Sequence, residues 1–170
     1  MQHPLVKEPE AVALLSKSKD EENWAFRNYL KGKGSKEVDK VVQELNKDVS
    51  SQIDCTQCGN CCKTINAAFT SDEAEITAPH LNISGKSFLA KYCQHHELDD
   101  IYYIKNPPCV FLKENKCTVY EKRPASCAEY PHLNKPNFIF RTMSVLENYK
   151  ICPIVFNVVE RLKTHYNFYY

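Results

Sequence analysis

Apolar residues return every three or four positions near both ends of the chain and cluster only briefly in its middle. Over residues 8–31, Val12, Leu15, Trp24, Phe26, Tyr29 and Leu30 predict one helix or two short ones with a single buried stripe, stopped by the glycines of KGKGS. The next periodicity is stronger. Ser35 stands where a cap belongs, and Val38, Val41, Val42, Leu45 and Val49 share one helical face through about residue 52, delivering the chain into Cys55. TSDEAEITAPHL (70–81) predicts a short helix capped by Thr70 or Ser71, and SGKSFLAKYCQHH (84–96) another, with Phe88, Leu89, Tyr92 and Cys93 on one side. IYYIK (101–105) and CVFLKENKCTVY (109–120) have strand composition, with a tight turn at Asn115-Lys116. RPASCAEYP (123–131) reads as one helical turn opened by Pro124. The tail is helical from about Ser144, broken at Cys152-Pro153 and resumed with Val155, Val158, Val159 and Leu162 on one face.

These elements predict an α+β fold, mostly α-helical: a small metal-stabilised domain with a short β-hairpin and cysteine-rich loops. An N-terminal helical segment (1–52) precedes a cysteine-cluster domain (53–170), the two expected to form one compact unit. The length of 170 residues suits a single domain with a sizeable core. A net charge of +1 supplies no field that would draw nucleic acid or an anionic membrane, so neither is an expected partner. The opening MQHPLVKEPEAVALLSKSKD lacks the basic-then-apolar order of an export signal, and ICPIVFNVV (151–159) is too short to span a bilayer. A cytoplasmic location is the expectation.

Composition changes the picture at one residue type. The chain has nine cysteines. In a reducing compartment structural disulfides do not persist, so dense cysteine there indicates metal or redox chemistry, and the odd number leaves one thiol over from any complete pairing. A secreted disulfide protein is the competing reading. The densest stretch is CTQCGNCC (55–62). Two residues between Cys55 and Cys58 let one tight turn aim both sulfurs at one ion, and Gly59 can take the positive φ that such a knuckle needs. Cys61 extends the spacing to C-x2-C-x2-C, as in cubane iron–sulfur ligation, but Cys62 follows at once, and adjacent cysteines tend to diverge toward different roles. The later group is Cys109, Cys117, Cys127 and Cys152. In a regular hairpin with Leu112 opposite Cys117, Cys109 would face Tyr120, on the order of 10 Å from Cys117 and on the other face. Sulfurs about 2.3 Å from one zinc could not both come from that register, so either the hairpin is irregular or the thiols serve more than one centre. The second alternative is the expectation.

With these residues in order, the chain resembles the YkgJ-type cysteine-cluster family, described as a zinc- or iron-chelating domain. Cys55-x2-Cys58-x2-Cys61-Cys62, PCVFL…CTVYEKRPASCAEYP and Cys152-Pro153 carry the resemblance over roughly residues 50–155. It implies metal chelation by Cys55, Cys58, Cys61, Cys62, Cys109, Cys117, Cys127 and Cys152, with iron, alone or in an iron–sulfur cluster, or zinc as the cofactor. Cys93 lies outside that pattern and reads as a buried structural thiol. His95, His96 and His132 read as solvated. Tyr102, Tyr103, Tyr120 and Tyr130 read mainly as core filling. Arg123 either offsets thiolate charge or is a surface arginine. No phosphate-binding loop is recognisable: GKG (32–34) follows a helix rather than a strand. Two functions stay open. One is a metal-binding protein chelating zinc or iron; the other is an iron–sulfur redox or protein-modifying enzyme. The protein partner is unknown.

Overall fold

The computed structural model describes residues 4–170, and residues 1–3, the first of the stretch read for an export signal, lie outside it. Two units emerge among the described residues: 4–54 with 131–170, and 55–130. The fold is mostly helical α+β, with a few short antiparallel strands.

The terminal unit is helical. Helix α1 (Pro9–Leu15) and α2 (Asp20–Leu30) are separated by a 3-10 turn at Ser16–Ser18. Val12, Phe26 and Leu30 are buried, but Leu15 and Trp24 are about half exposed, so the single stripe expected over 8–31 does not form. Helix α3 (Ser35–Ser50) buries Val38, Val42 and Val49 as its period dictates, although Gly34 rather than Ser35 is its N-cap. It packs against α9 (Phe138–Tyr149) and α10 (Pro153–His165). The tail helix starts six residues before the expected Ser144. Asp39 explains why: its carboxylate accepts from the amides of Asn137 and Phe138, each at 2.8 Å, capping α9 from a helix distant in sequence. Cys152 is the buried N-cap of α10, with Pro153 at the first helical position.

The second unit begins with two short helices, α4 (Cys55–Cys58) and α5 (Asn60–Thr64), followed by strand β1 (Ala68–Phe69). Helix α6 (Ser71–Thr77) carries a full capping box between Thr70 and Glu73, and α7 (Gly85–Tyr92) is capped by Ser84. CQHH, read above as the end of α7, is instead strand β2 (Cys93–His96). It pairs antiparallel with β3 (Ile101–Ile104), which also pairs with β1. The strand-forming IYYI needs a ladder partner, and β2 supplies it. A second ladder joins β4 (Leu112–Lys113) to β5 (Lys116–Cys117), and α8 (Ala125–Ala128) closes the unit. Its core is Phe69, Ala74, Ala78, Phe88, Cys93, Ile104, Phe111 and Val119, with Cys109 and Cys117 packed against it. Phe88 is the aromatic hub, 5.1 Å from Phe69 and 5.4 Å from Phe111 between ring centroids. Phenylalanines fill the centre of this core; of the tyrosines expected there, Tyr102 packs against it, whereas Tyr103 and Tyr120 are more than a third exposed.

No helix among the described residues is long and apolar enough to cross a membrane.

Candidate metal centre

The knuckle is built as its spacing requires. Helix α4 is a single turn whose Cys55 carbonyl accepts from the Gly59 amide at 3.1 Å. Gly59 is left-handed, with φ 58° and ψ 5°, so the chain reverses and starts α5 with Cys61 and Cys62 on its first turns. The adjacent thiols do not part company. Cys61 hydrogen-bonds the Cys62 sulfur, and this, against the opposing effect of burial and with help from Lys63, holds Cys62 down at about 7.

The hairpin has the predicted Leu112–Cys117 pairing but ends after one further pair, Lys113–Lys116. Glu114 and Asn115, with φ 48° and 65°, form the turn, one residue earlier than expected. On the other side the ladder does not run on to Cys109. The Leu112 amide donates to the Cys109 carbonyl at 2.9 Å, folding the chain into a turn, while the Cys109 amide donates to the Cys62 carbonyl at 2.7 Å. The hairpin is thus irregular, and no ladder spaces Cys109 from Cys117 in the way a regular hairpin would.

Electrostatics then links thiols from separate segments. Cys109 is pushed up to about 12, first by burial and further by the charges of Cys62, Cys127 and Cys117. Cys127 rises to about 11 for the same leading reason, with Cys62 and Cys117 adding to it. Burial and the charge of Cys62 raise Cys117 as well. Against these stand donors of the kind that stabilise bound thiolates: the Phe111 amide toward Cys109, the Val119 amide toward Cys117 and the Ser126 hydroxyl toward Cys127. Arg123 takes both of the parts considered above. Its guanidinium lies 3.7 Å from the Tyr120 ring centroid and donates to the Tyr120 carbonyl, yet its charge also favours the thiolates of Cys117 and Cys127.

Helix α8, which brings Cys127, is held by a residue that sequence reading missed as a site component. Glu73 Oε2 accepts from the Thr70 amide at 2.9 Å, and its Oε1 accepts from the Ala125 amide at 2.7 Å. One carboxylate thus caps α6 and α8 together, and Ser126 adds a 2.8 Å hydrogen bond to the Ala68 carbonyl. The TSDE capping box was visible in sequence; the second amide was not. Glu73→Gln leaves one oxygen for two amides and removes the charge at both helix starts. It is expected to lower the stability of this unit by about 1–2 kcal/mol, read from denaturant unfolding, and to speed alkylation of Cys127.

The remaining candidates lie elsewhere. Cys152 belongs to the terminal unit. Cys93 is buried at the start of β2, its thiol pushed up to about 11 by burial. His95 and His96 are exposed at the β2–β3 tip, paired with Asp100 at 2.8 Å and Asp99 at 3.3 Å. Cys58, Cys62, Cys109, Cys117 and Cys127 carry free thiols. Among the described residues no three His, Cys, Asp or Glu side chains already converge tightly enough to hold one ion. The donor chemistry nevertheless fits zinc or iron: thiol ligands, amide and hydroxyl donors behind them, and a Cys62 charge that raises its neighbours and that a cation would offset.

Comparison with curated proteins returned no match, and comparison with solved structures returned none. One family covers residues 54–153, more than half of the chain, and its description is "CxxCxxCC: Putative zinc- or iron-chelating domain". The span begins one residue before the knuckle and ends at Pro153, so it contains every cysteine of the pattern. The chain belongs to the CxxCxxCC family of zinc- or iron-chelating domains.

Proposed function

We propose that residues 55–127 form a thiolate metal-binding module for zinc or iron, with Cys62, Cys109, Cys117 and Cys127 as its inner ligands and Cys55, Cys58 and Cys61 as the outer knuckle. The observation that carries this reading is a backbone contact between the early and the late cysteines: the Cys109 amide donates to the Cys62 carbonyl at 2.7 Å, and the charge of Cys62 raises Cys109, Cys117 and Cys127, a group of thiols from three chain segments. Such a group is unfavourable as bare thiolates and favourable around a cation. Chelation closes it, because sulfurs about 2.3 Å from a common ion stand near 4 Å apart. Behind them, the Phe111 and Val119 amides and Ser126 spread the accumulated charge.

A second reading, an iron–sulfur cluster serving electron transfer or a redox step, is favoured by one specific feature. Seven thiols of this unit, Cys93 excepted, exceed the four positions of a single zinc, and Cys55, Cys58 and Cys61 keep the cubane spacing. Anaerobic purification with elemental analysis and a visible spectrum separates the two. Stoichiometric zinc in a colourless protein selects the first; iron and sulfide with broad bands that bleach on reduction select the second. Protein that retains neither metal, and takes up neither when supplied, sinks both. Cys58→Ser is expected to lower metal content and thermal stability, whereas Cys93→Ser keeps full metal content. Equal metal loss in both variants would contradict the ligand assignment.

A further inference from the structure

The hairpin tip and the cysteine knuckle are far apart in sequence and joined in space by one side chain. Asn115 Nδ2 donates to the Gln57 carbonyl and, at 3.4 Å, to the Cys58 carbonyl. Both acceptors lie at the end of α4, where carbonyls of a one-turn helix have no helical partner of their own. The fit is close on the other side of the amide too. A Cβ at Gly59 would stand 2.7 Å from Asn115 Oδ1 and 3.1 Å from the Asn115 carbonyl oxygen. That Oδ1 is buried without a hydrogen-bond partner among the described residues, so the donor end of the amide sets its orientation. Asn115 also occupies a left-handed backbone position, which asparagine tolerates better than most residues. Two residues further on, the same hairpin carries Cys117.

We infer that Asn115 is a positioning residue, a latch that clamps the Cys55–Gly59 knuckle to the β4–β5 hairpin so that the early and late cysteines face one metal site. An asparagine chosen only for its turn would need no contact with residues 57 and 58. The latch instead uses the side chain to satisfy the knuckle's open carbonyls, and it requires glycine at 59 to come so near. The inference rests on the metal-binding reading for its purpose, but its geometry exists without metal.

The test therefore has two arms, both on the full chain. Asn115→Gly keeps the left-handed turn and removes only the amide; Asn115→Asp keeps the shape and replaces the donor with an acceptor. In metal-free, reduced protein, iodoacetamide labelling followed by peptide mass spectrometry is expected to modify the half-buried Cys58 several-fold faster in both variants, with Cys93 unchanged. In protein loaded with cobalt(II) as a spectroscopic probe, both variants are expected to release the ion to a chelator about 10- to 100-fold faster, the range typical for lost partners of metal ligands. They should also show weaker thiolate-to-cobalt charge-transfer absorption, which a loss of global stability alone would not change. Wild-type labelling and release rates in both variants overturn the latch. A wild-type protein that binds no cobalt while the variants label faster overturns the metal reading and leaves the latch standing.

Discussion

Gly59→Ala is expected to destabilise the cysteine-bearing unit by roughly 2–4 kcal/mol and to weaken metal binding with it. A left-handed conformation costs a residue with a Cβ about 1–2 kcal/mol, and Gly59 has φ 58°. The new methyl would also stand 2.7 Å from Asn115 Oδ1 and 3.1 Å from the Asn115 backbone oxygen. The side chain can swing away, but then the Gln57 and Cys58 carbonyls lose their donor, at about 0.5–1.5 kcal/mol for each bond. The backbone oxygen cannot move without disturbing the β4–β5 turn. For a unit of this size each kcal/mol lowers Tm by about 4–8 °C, so a fall of at least about 8 °C is expected in a thermal melt. A double variant, Gly59→Ala with Asn115→Gly, separates the contributions. The side-chain clash disappears, the left-handed strain remains, and the two substitutions should be visibly less than additive. Full additivity would mean that the two residues do not touch in solution.

The same pair of residues marks what sequence could and could not disclose. Cysteine spacing followed by glycine announced the left-handed reversal at Gly59, because only one local geometry lets C-x2-C turn back on itself. Helix α3 was equally legible, since its period of valines has a single solution. The resemblance carried by the cysteine strings agrees with the family found over residues 54–153. What stayed hidden depends on residues distant in sequence. Asp39 starts α9 early from nearly a hundred positions away, and Glu73 holds a helix fifty residues later. The sequence around Asn115 signals only a turn, although its amide spans 57 positions to Cys58. The stripe expected over 8–31 fails for a reason inside each helix: Trp24 stands two residues, about 200° of winding, from buried Phe26, so one face of α2 cannot bury both, and Leu15 ends α1 about half exposed. Cys93 begins a strand where the pattern signals a helix, because one apolar residue cannot distinguish a helix end from the first position of a strand.

Metal binding itself is expected to be the steepest pH-dependent property of the protein. In the metal-free state burial is the leading cause that pushes Cys109 up to about 12 and Cys127 up to about 11, and Cys117 is raised likewise. All three hold their protons at pH 8, so an ion that takes them as ligands must expel three protons. Cys62, at about 7, adds a fourth in acidic solution. Each displaced proton makes apparent affinity rise about tenfold per pH unit, so affinity should climb close to a thousandfold from pH 7.5 to 8.5. Ordinary thiols, near 8.5, would stop contributing above about pH 9; Cys109 and Cys127 continue to do so. Titration calorimetry in buffers of different ionisation enthalpy counts the protons directly: about three per ion at pH 8 is expected, and fewer than one would show that the buried thiols are not ligands. Stability carries the complementary sign. Without metal, a raised folded value favours the protonated thiol, so its contribution is complete below about 8.5 and is lost as pH climbs through 11 to 12. With metal, the folded state holds thiolates while the unfolded chain rebinds protons, so stability is lost as pH falls below about 8.5. Tm should therefore rise with pH in the loaded protein between pH 6 and 8 and fall with pH in the metal-free protein between 9 and 11. Curves that move in parallel across both ranges would remove the buried cysteines from the ligand set.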